Sequence, residues 1–285
     1  MKLLRYGPKG RERPGLLDRS GEIRDLSAHV RDIGGVSLLP EALVTLRGID
    51  PARLPCISGM PRLGPCVAGV GKIICVGLNY RDHPAESKMI VPSEPVLFLK
   101  STSALAGPND DLQIPRGAEK TDWEVEIGVV IGKPDKYIEE KSAAEHIAGF
   151  CVVNDVSERS YQLERGGQWD KGKGCDGFAP LGPGLVTPDE VPDPQSLDLW
   201  LDVDGHRYHR YQSANARDMI FGIPHLIAYI SQFMSLQSGD VIATGTPPGV
   251  GLGQNPPIYL RADQALCAGI TGLGFQQQRT VAWNS

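Results

Sequence analysis

Aromatic side chains make up only 6% of this 285-residue chain, and its six cysteines form no CxxC pair. Long apolar runs are also missing, and each shortage excludes something. Without roughly 18 consecutive apolar residues there is no membrane-spanning helix, and the opening MKLLRYGPKGRERPG carries charges where a signal peptide needs its apolar stretch. The expectation is a cytoplasmic protein with no membrane partner. Cys56, Cys66, Cys75, Cys151, Cys175 and Cys267 are scattered, which argues against a disulfide framework or a zinc site. They read as small buried hydrophobes; only Cys175 lies beside suspected chemistry, and a nucleophilic role for it is not favoured. Charge of one sign is lacking too. The net is −5, with no basic stripe for nucleic acid and no charged tail.

What is present points to a large folded body. A hydrophobic content of 41% supports one core, or one core plus a small appended domain, and 34 glycines with 23 prolines favour a strand-rich build over a helix bundle. Residues 1–65 read as short strands in LLRYG, PGLLD and EIRDLS, then a short helix over Leu39 to Arg47. Pro51, Pro55, Pro61 and Pro65 follow, so the expected division is a small N-terminal domain, 1–65, and a main domain, 70–285. There IICVGLNY, PVLFLKS, TDWEVEIGVVIG, GFCVVND and GDVIATG read as strands, and the second half of KPDKYIEEKSAAEHIAG as a short exposed helix. Ile223, Leu226, Ile227, Ile230, Phe233 and Met234 recur at helical spacing, which predicts a core-packed helix with Pro224 in its first turn. Gly249, Gly251 and Gly253 lack the sequel of a phosphate loop.

The strongest chemical signal lies in TDWEVEIGVVIG, Thr121 to Gly132. Side chains alternate along a strand, so Val125, Ile127, Val129 and Ile131 share one face, and Asp122, Glu124 and Glu126 the other. That acidic face either meets solvent or goes inside. The unbroken apolar run Val129 to Ile131 favours burial, and two buried glutamates are tolerated only if one is protonated or a cation lies between them. A third oxygen ligand is on offer from Asp155 in CVVNDVSER, a residue that could equally cap a helix.

Taken in order, GLNYRDHPAE, EPVLFLKSTSAL, DWEVEIGVVIG, NDVSERSYQ, KGKGCDGFAPLGP and GDVIATGTPPGVG resemble the motifs of the fumarylacetoacetase superfamily from about residue 70 onward. The resemblance implies a mixed α/β, mainly β fold, a β-sandwich roll built around a divalent metal. The metal is usually Mg²⁺, with Mn²⁺ as an alternative, and Glu124, Glu126 and Asp155 would hold it. Asp122 falls outside the implied ligands and is expected either to support them or to face solvent.

The same resemblance implies an acylpyruvate substrate, a 2,4-diketo acid whose keto oxygen and carboxylate chelate the metal. His83 and Glu86, in HPAE, resemble the family's water-activating dyad; three-residue spacing would put both on one helical face, although an unrelated loop pair is the bland alternative. Lys173 resembles a lysine that places positive charge beside the keto acid, Arg159 and Gln162 resemble contacts to substrate oxygens, and Thr246 a holder of the substrate carboxylate. His206 and His209 match no family ligand and read as surface or oligomer-contact residues.

MKLLRYG, WDKGKGCDGF and SQFMSLQSGDVIATGTPPGVGLG bring the chain nearest to the subgroup that hydrolyses 2,4-diketo-3-deoxy-L-fuconate or L-rhamnonate, giving pyruvate and lactate. Ureidoglycolate lyase, hydroxyheptadienedioate isomerase and oxaloacetate decarboxylase are the alternatives on this fold, and a non-catalytic metal-stabilised binding protein the alternative of another class. A homodimer or higher homo-oligomer is expected. One departure is the absence of a Gly-Asp turn near Ala262 to Gln264, with Cys267 close by, which is expected to alter an edge strand or a dimer contact.

Overall fold

The computed structural model describes residues 1–81, 92–204 and 211–283. In chain order its strands are β1 (Lys2–Tyr6), β2 (Arg13–Leu17), β3 (Ile23–Asp25), β4 (Ile73–Gly77), β5 (Val96–Lys100), β6 (Leu105–Ala106), β7 (Leu112–Gln113), β8 (Thr121–Asp122) and β9 (Val125–Ile131). They continue as β10 (Ile147–Asn154), β11 (Ser157–Glu158), β12 (Ala179–Val186), β13 (Asp198–Val203), β14 (Gln212–Asn215), β15 (Val241–Ala243), β16 (Ala265–Ile270) and β17 (Gly274–Val281). The helices are α1 (Pro40–Arg47), α2 (Arg159–Leu163), α3 (Asp170–Lys173) and α4 (Ile223–Phe233). The fold is mixed α/β and mostly β.

One large sheet runs β3-β2-β1-β12-β10-β9-β15-β4-β5, with β6 beside β12; a second runs β14-β13-β16-β17-β7, and β8 pairs with β11. The apolar runs of β4 and β15 pair in parallel, as expected of strands covered on both faces. Strand β1 pairs with β12, so the first three strands continue the large sheet.

Several sequence expectations change in detail. TDWEVEIGVVIG is two strands, because β8 pairs with β11 while β9 pairs with β10, which leaves Trp123 and Glu124 between the ladders. Every residue of β9 is buried. Residues Glu140–His146 form a 3-10 turn that buries Ala143 and His146. Helix α4 buries Ile223, Leu226, Ile227 and Ile230, but Phe233 is exposed. Near Ala262, Asp263 takes a left-handed conformation at φ 68°, so the turn is made without glycine; β16, which carries Cys267, lies between β13 and β17 and is no edge. His206 and His209 lie outside the described residues.

Candidate active site

The register of the large sheet brings the acidic residues together. Antiparallel pairing sets Val125 opposite Asn154, so the start of β9 meets the end of β10. The Glu124 amide donates to Asn154 Oδ1 (3.1 Å), and the Asp155 amide donates to the Glu124 carbonyl (2.8 Å). Strand β15 runs antiparallel to β9, so the turn after it lands beside Glu126, whose carboxylate accepts from the Gly245 amide at 2.8 Å. Carboxylate oxygens of Glu124, Glu126 and Asp155 lie within 4.8 Å of one another, and the three side chains are 5%, 1% and 0% exposed.

So much buried negative charge needs nearby cations. Lys173 Nζ lies 2.6 Å from Glu124 and 2.8 Å from Asp155. Lys100 Nζ sits 2.5 Å from Asp155 and donates to the Val156 carbonyl at 3.0 Å. Arg159 donates to Glu124 (2.7 Å), to Asp122 (2.8 Å) and to Gln162 (3.0 Å). Burial opposes the charge on Lys173, yet Asp155 and Glu124 outweigh it and hold the ammonium above its ordinary range. Arg159 behaves alike: burial works against its charge, and Asp122 and Glu124 prevail.

Glu126 is the member left over. Among the described residues no ammonium or guanidinium pairs with it. Burial first, then the charges of Asp155 and Glu124, push its carboxyl well above the usual carboxylate range, while Lys173 and the Gly245 amide pull less strongly the other way. Among the described residues, the cations that pair with Asp122, Glu124 and Asp155 are Lys100, Arg159 and Lys173, and none of the three pairs with Glu126. A donor set of three clustered, buried carboxylates suits a hard divalent cation. Buried groups with unused hydrogen-bonding capacity flank it: Thr244 Oγ1 beside Gly245, Asn154 Nδ2 beside Asp155, and Tyr80 Oη, whose hydroxyl is held protonated by burial and by the charge of Glu126. Such groups suit ordered water around an ion.

The structure joins Glu124, Glu126, Asp155, Arg159, Gln162, Lys173 and Thr246 in or around one cleft. Lys173 is 2% exposed, unlike its solvent-facing neighbour Lys171. The Thr246 hydroxyl donates to the Val125 carbonyl (3.0 Å) and accepts from Gln212 (2.8 Å), so its hydrogen is already engaged. Asp122 is fully buried, which removes the solvent-facing option. Burial raises the Cys175 thiol above its ordinary range, the reverse of an activated nucleophile. His83 and Glu86 lie outside the described residues. Lys100 was missed by sequence reasoning, although a lysine closing the apolar run PVLFL is the same kind of signal as Glu126 in β9.

Above this charged floor stands an apolar wall that includes Phe98, Trp169, Leu163 and Leu252. Phe98 and Trp169 meet edge to face with centroids 5.4 Å apart, and Lys173 Nζ lies 4.9 Å from the Phe98 ring centroid. Gly77 makes room for Trp169, because a Cβ there would come within 2.8 Å of the indole.

Residues 72–281 match the fumarylacetoacetate (FAA) hydrolase C-terminal family. The chain belongs to this family. A Burkholderia multivorans protein named, by inference, only as a hydrolase is 62% identical over 283 residues, 99% of each chain. The fumarylacetoacetate hydrolase of psychrophilic Exiguobacterium antarcticum superposes with a TM-score of 0.85 at 33% identity, over 99% of this chain and 100% of that one. Maleylpyruvate hydrolase from Sphingobium sp. SYK-6, solved with manganese(II) and pyruvate, superposes with a TM-score of 0.80 at 28% identity, over 100% of both chains.

Proposed function

We propose that this protein is a divalent-cation-dependent hydrolase that splits the carbon–carbon bond of an acylpyruvate. The observation that carries the reading is the buried trio Glu124, Glu126 and Asp155 with Lys173 lodged on two of its members. These carboxylates would hold Mg²⁺ or Mn²⁺, which when bound supplies Lewis-acid charge for the substrate's keto oxygen and carboxylate. The manganese and pyruvate in the Sphingobium hydrolase support the same pairing of cation and product class here.

The chain's own groups carry the remaining steps. Water adds to the distal carbonyl, and the bond from that carbon to the adjacent methylene breaks. The electron pair passes to the pyruvyl fragment, and a proton ends on its methylene carbon, so one diketo acid and one water give one acid and pyruvate. Lys173 presents a fixed ammonium where negative charge grows on that fragment. Gln162 Oε1 is taken by Arg159, which leaves its amide hydrogens for a substrate oxygen. Thr246, with its hydroxyl hydrogen engaged, would hold a substrate carboxylate through its backbone amide. His83, paired with Glu86 in the H-x-x-E pattern, is the group assigned to activate water on the sequence pattern alone.

Within the acylpyruvates the reading favours 2,4-diketo-3-deoxy-L-fuconate or L-rhamnonate. Their distal acyl group, a lactoyl unit, ends in a methyl, and the apolar wall of Phe98, Trp169 and Leu252 beside the charged floor supports such an end. The test measures pyruvate and lactate from either compound, with and without Mg²⁺, in the wild type and in Glu124→Gln and His83→Ala. Equal yields, lost on chelation and in both variants, are expected. Carbon dioxide from oxaloacetate, glyoxylate from ureidoglycolate, or a double-bond shift without pyruvate would replace this reading with a lyase, decarboxylase or isomerase.

A further inference from the structure

Asp122 is a buried carboxylate that the proposed chemistry leaves unused. It is 0% exposed and accepts four N–H groups. Oδ1 accepts from the amides of Trp123 (2.8 Å) and Gly251 (2.6 Å), and Oδ2 from the amide of Leu252 (2.9 Å) and from Arg159 Nε (2.8 Å). Arg159 passes on through its other arm to Glu124, 2.7 Å away. One carboxylate therefore grips the first amides of the Gly251–Gly253 turn, whose Leu252 stands in the cleft wall, and the guanidinium that fixes a floor carboxylate.

The close approach is built into the sequence. A Cβ at position 251 would fall 2.0 Å from the Ile258 carbonyl oxygen and 2.7 Å from Asp122 Oδ1, so only glycine lets the turn settle onto the carboxylate. Nearby contacts tie the same loop to the segment that follows Asp122: Trp123 Nε1 donates to the Gly249 carbonyl (3.1 Å), and Gln212 bridges the Val125 amide and the Pro247 carbonyl.

We infer that Asp122 is a positioning residue that couples cation binding at Glu124 to the wall loop 249–253, through Arg159 on one side and the amides of Gly251 and Leu252 on the other. With Arg159 anchored, Glu124 keeps its carboxylate aimed at the cation; with the loop anchored, Leu252 stays against the acyl end of the substrate. The inference rests on the proposed cation site. Groups of this kind behind metal-binding carboxylates change affinity or activity by about 10- to 100-fold when removed.

The test is Mn²⁺ titration of the full-length, chelator-stripped protein, followed by the paramagnetic resonance signal of free Mn²⁺, together with KM for the diketo acid. Asp122→Asn keeps the shape and loses the charge that orients Arg159. It should weaken Mn²⁺ binding about tenfold or more and raise KM, with part of both recovered in Asp122→Glu. If Asp122→Asn lowers Tm but leaves the Mn²⁺ Kd and KM within about twofold of wild type, Asp122 is merely structural and the inference falls. Should that variant fail to fold, Gly251→Ala breaks only the loop side. Several-fold weaker Mn²⁺ binding supports the coupling, and a raised KM with unchanged Mn²⁺ affinity overturns it. A wild type that binds no Mn²⁺ would instead remove the cation site itself.

Discussion

Two charged networks lie in this molecule, and they are wired differently. Near the N-terminus Arg62 makes a two-pronged contact with Asp110 (2.6 Å on both prongs) and reaches Glu12 (2.9 Å), while Arg5 grips Asp32 (2.7 and 3.0 Å). Every carboxylate there has a guanidinium against it. Burial opposes ionisation of Glu12 and Asp110, but their contacts with Arg62 and with backbone amides prevail, and both are held below the ordinary carboxylate range. In the cleft Glu126 has no such partner among the described residues and is pushed the other way. The first network is closed and clamps residues 5, 12, 32, 62 and 110 together. The second holds a buried carboxylate, Glu126, whose ionisation burial and its acidic neighbours oppose, and a bound cation would relieve that.

The largest effect should come from the second side of that contrast. Glu126→Gln removes a proposed ligand, and pyruvate release should fall by roughly 10³-fold or more, since a bound cation contributes several kcal/mol to the barrier. Lys173→Met, which leaves Glu124 and Asp155 without their shared ammonium, should lower kcat by about 10²- to 10³-fold in a steady-state assay. Chelation comes next. Removing a cation present at 100 times its Kd should cost about 2.7 kcal/mol of stability, seen as a lower Tm in the wild type and not in Glu126→Gln.

The closed network should respond in stability alone. Arg62→Met should cost about 2 kcal/mol in denaturant unfolding and leave kcat and KM near wild type, because its hydrogen bonds to charged groups are partly buried and neither Arg62 nor its partners Glu12 and Asp110 are among the residues that line the cleft. The sign of its pH dependence follows from the depressed folded values of Glu12 and Asp110. Their contribution is complete above the unfolded carboxylate range, about pH 4, and is lost as pH falls through the folded values. The wild type should therefore lose Tm below about pH 4 more steeply than Arg62→Met.

The sequence revealed the acidic floor because glutamates in an apolar strand are conspicuous, and Asp155 because an apolar strand ends on it. The partners were hidden by distance along the chain. Arg159 is 37 residues from Asp122, and Gly251 is 129. Lys100, at the end of β5, was not singled out, and the fold brings Asp155 to it. Thr121 to Gly132 read as one strand because periodicity carries no information on which partner each half pairs with; β11 takes one half and β10 the other. Helix α4 was legible from its stripe, but Phe233, its last residue, is exposed.

The most direct test of the cation claim is calorimetric titration of Mn²⁺ into chelator-stripped wild type and Glu126→Gln, with circular dichroism to verify that both are folded. One equivalent bound per chain in the wild type, and none at the same concentrations in the folded variant, is the predicted result. Equal binding in both would contradict it, since the ion would then lie elsewhere and the uncompensated carboxylate would need another explanation.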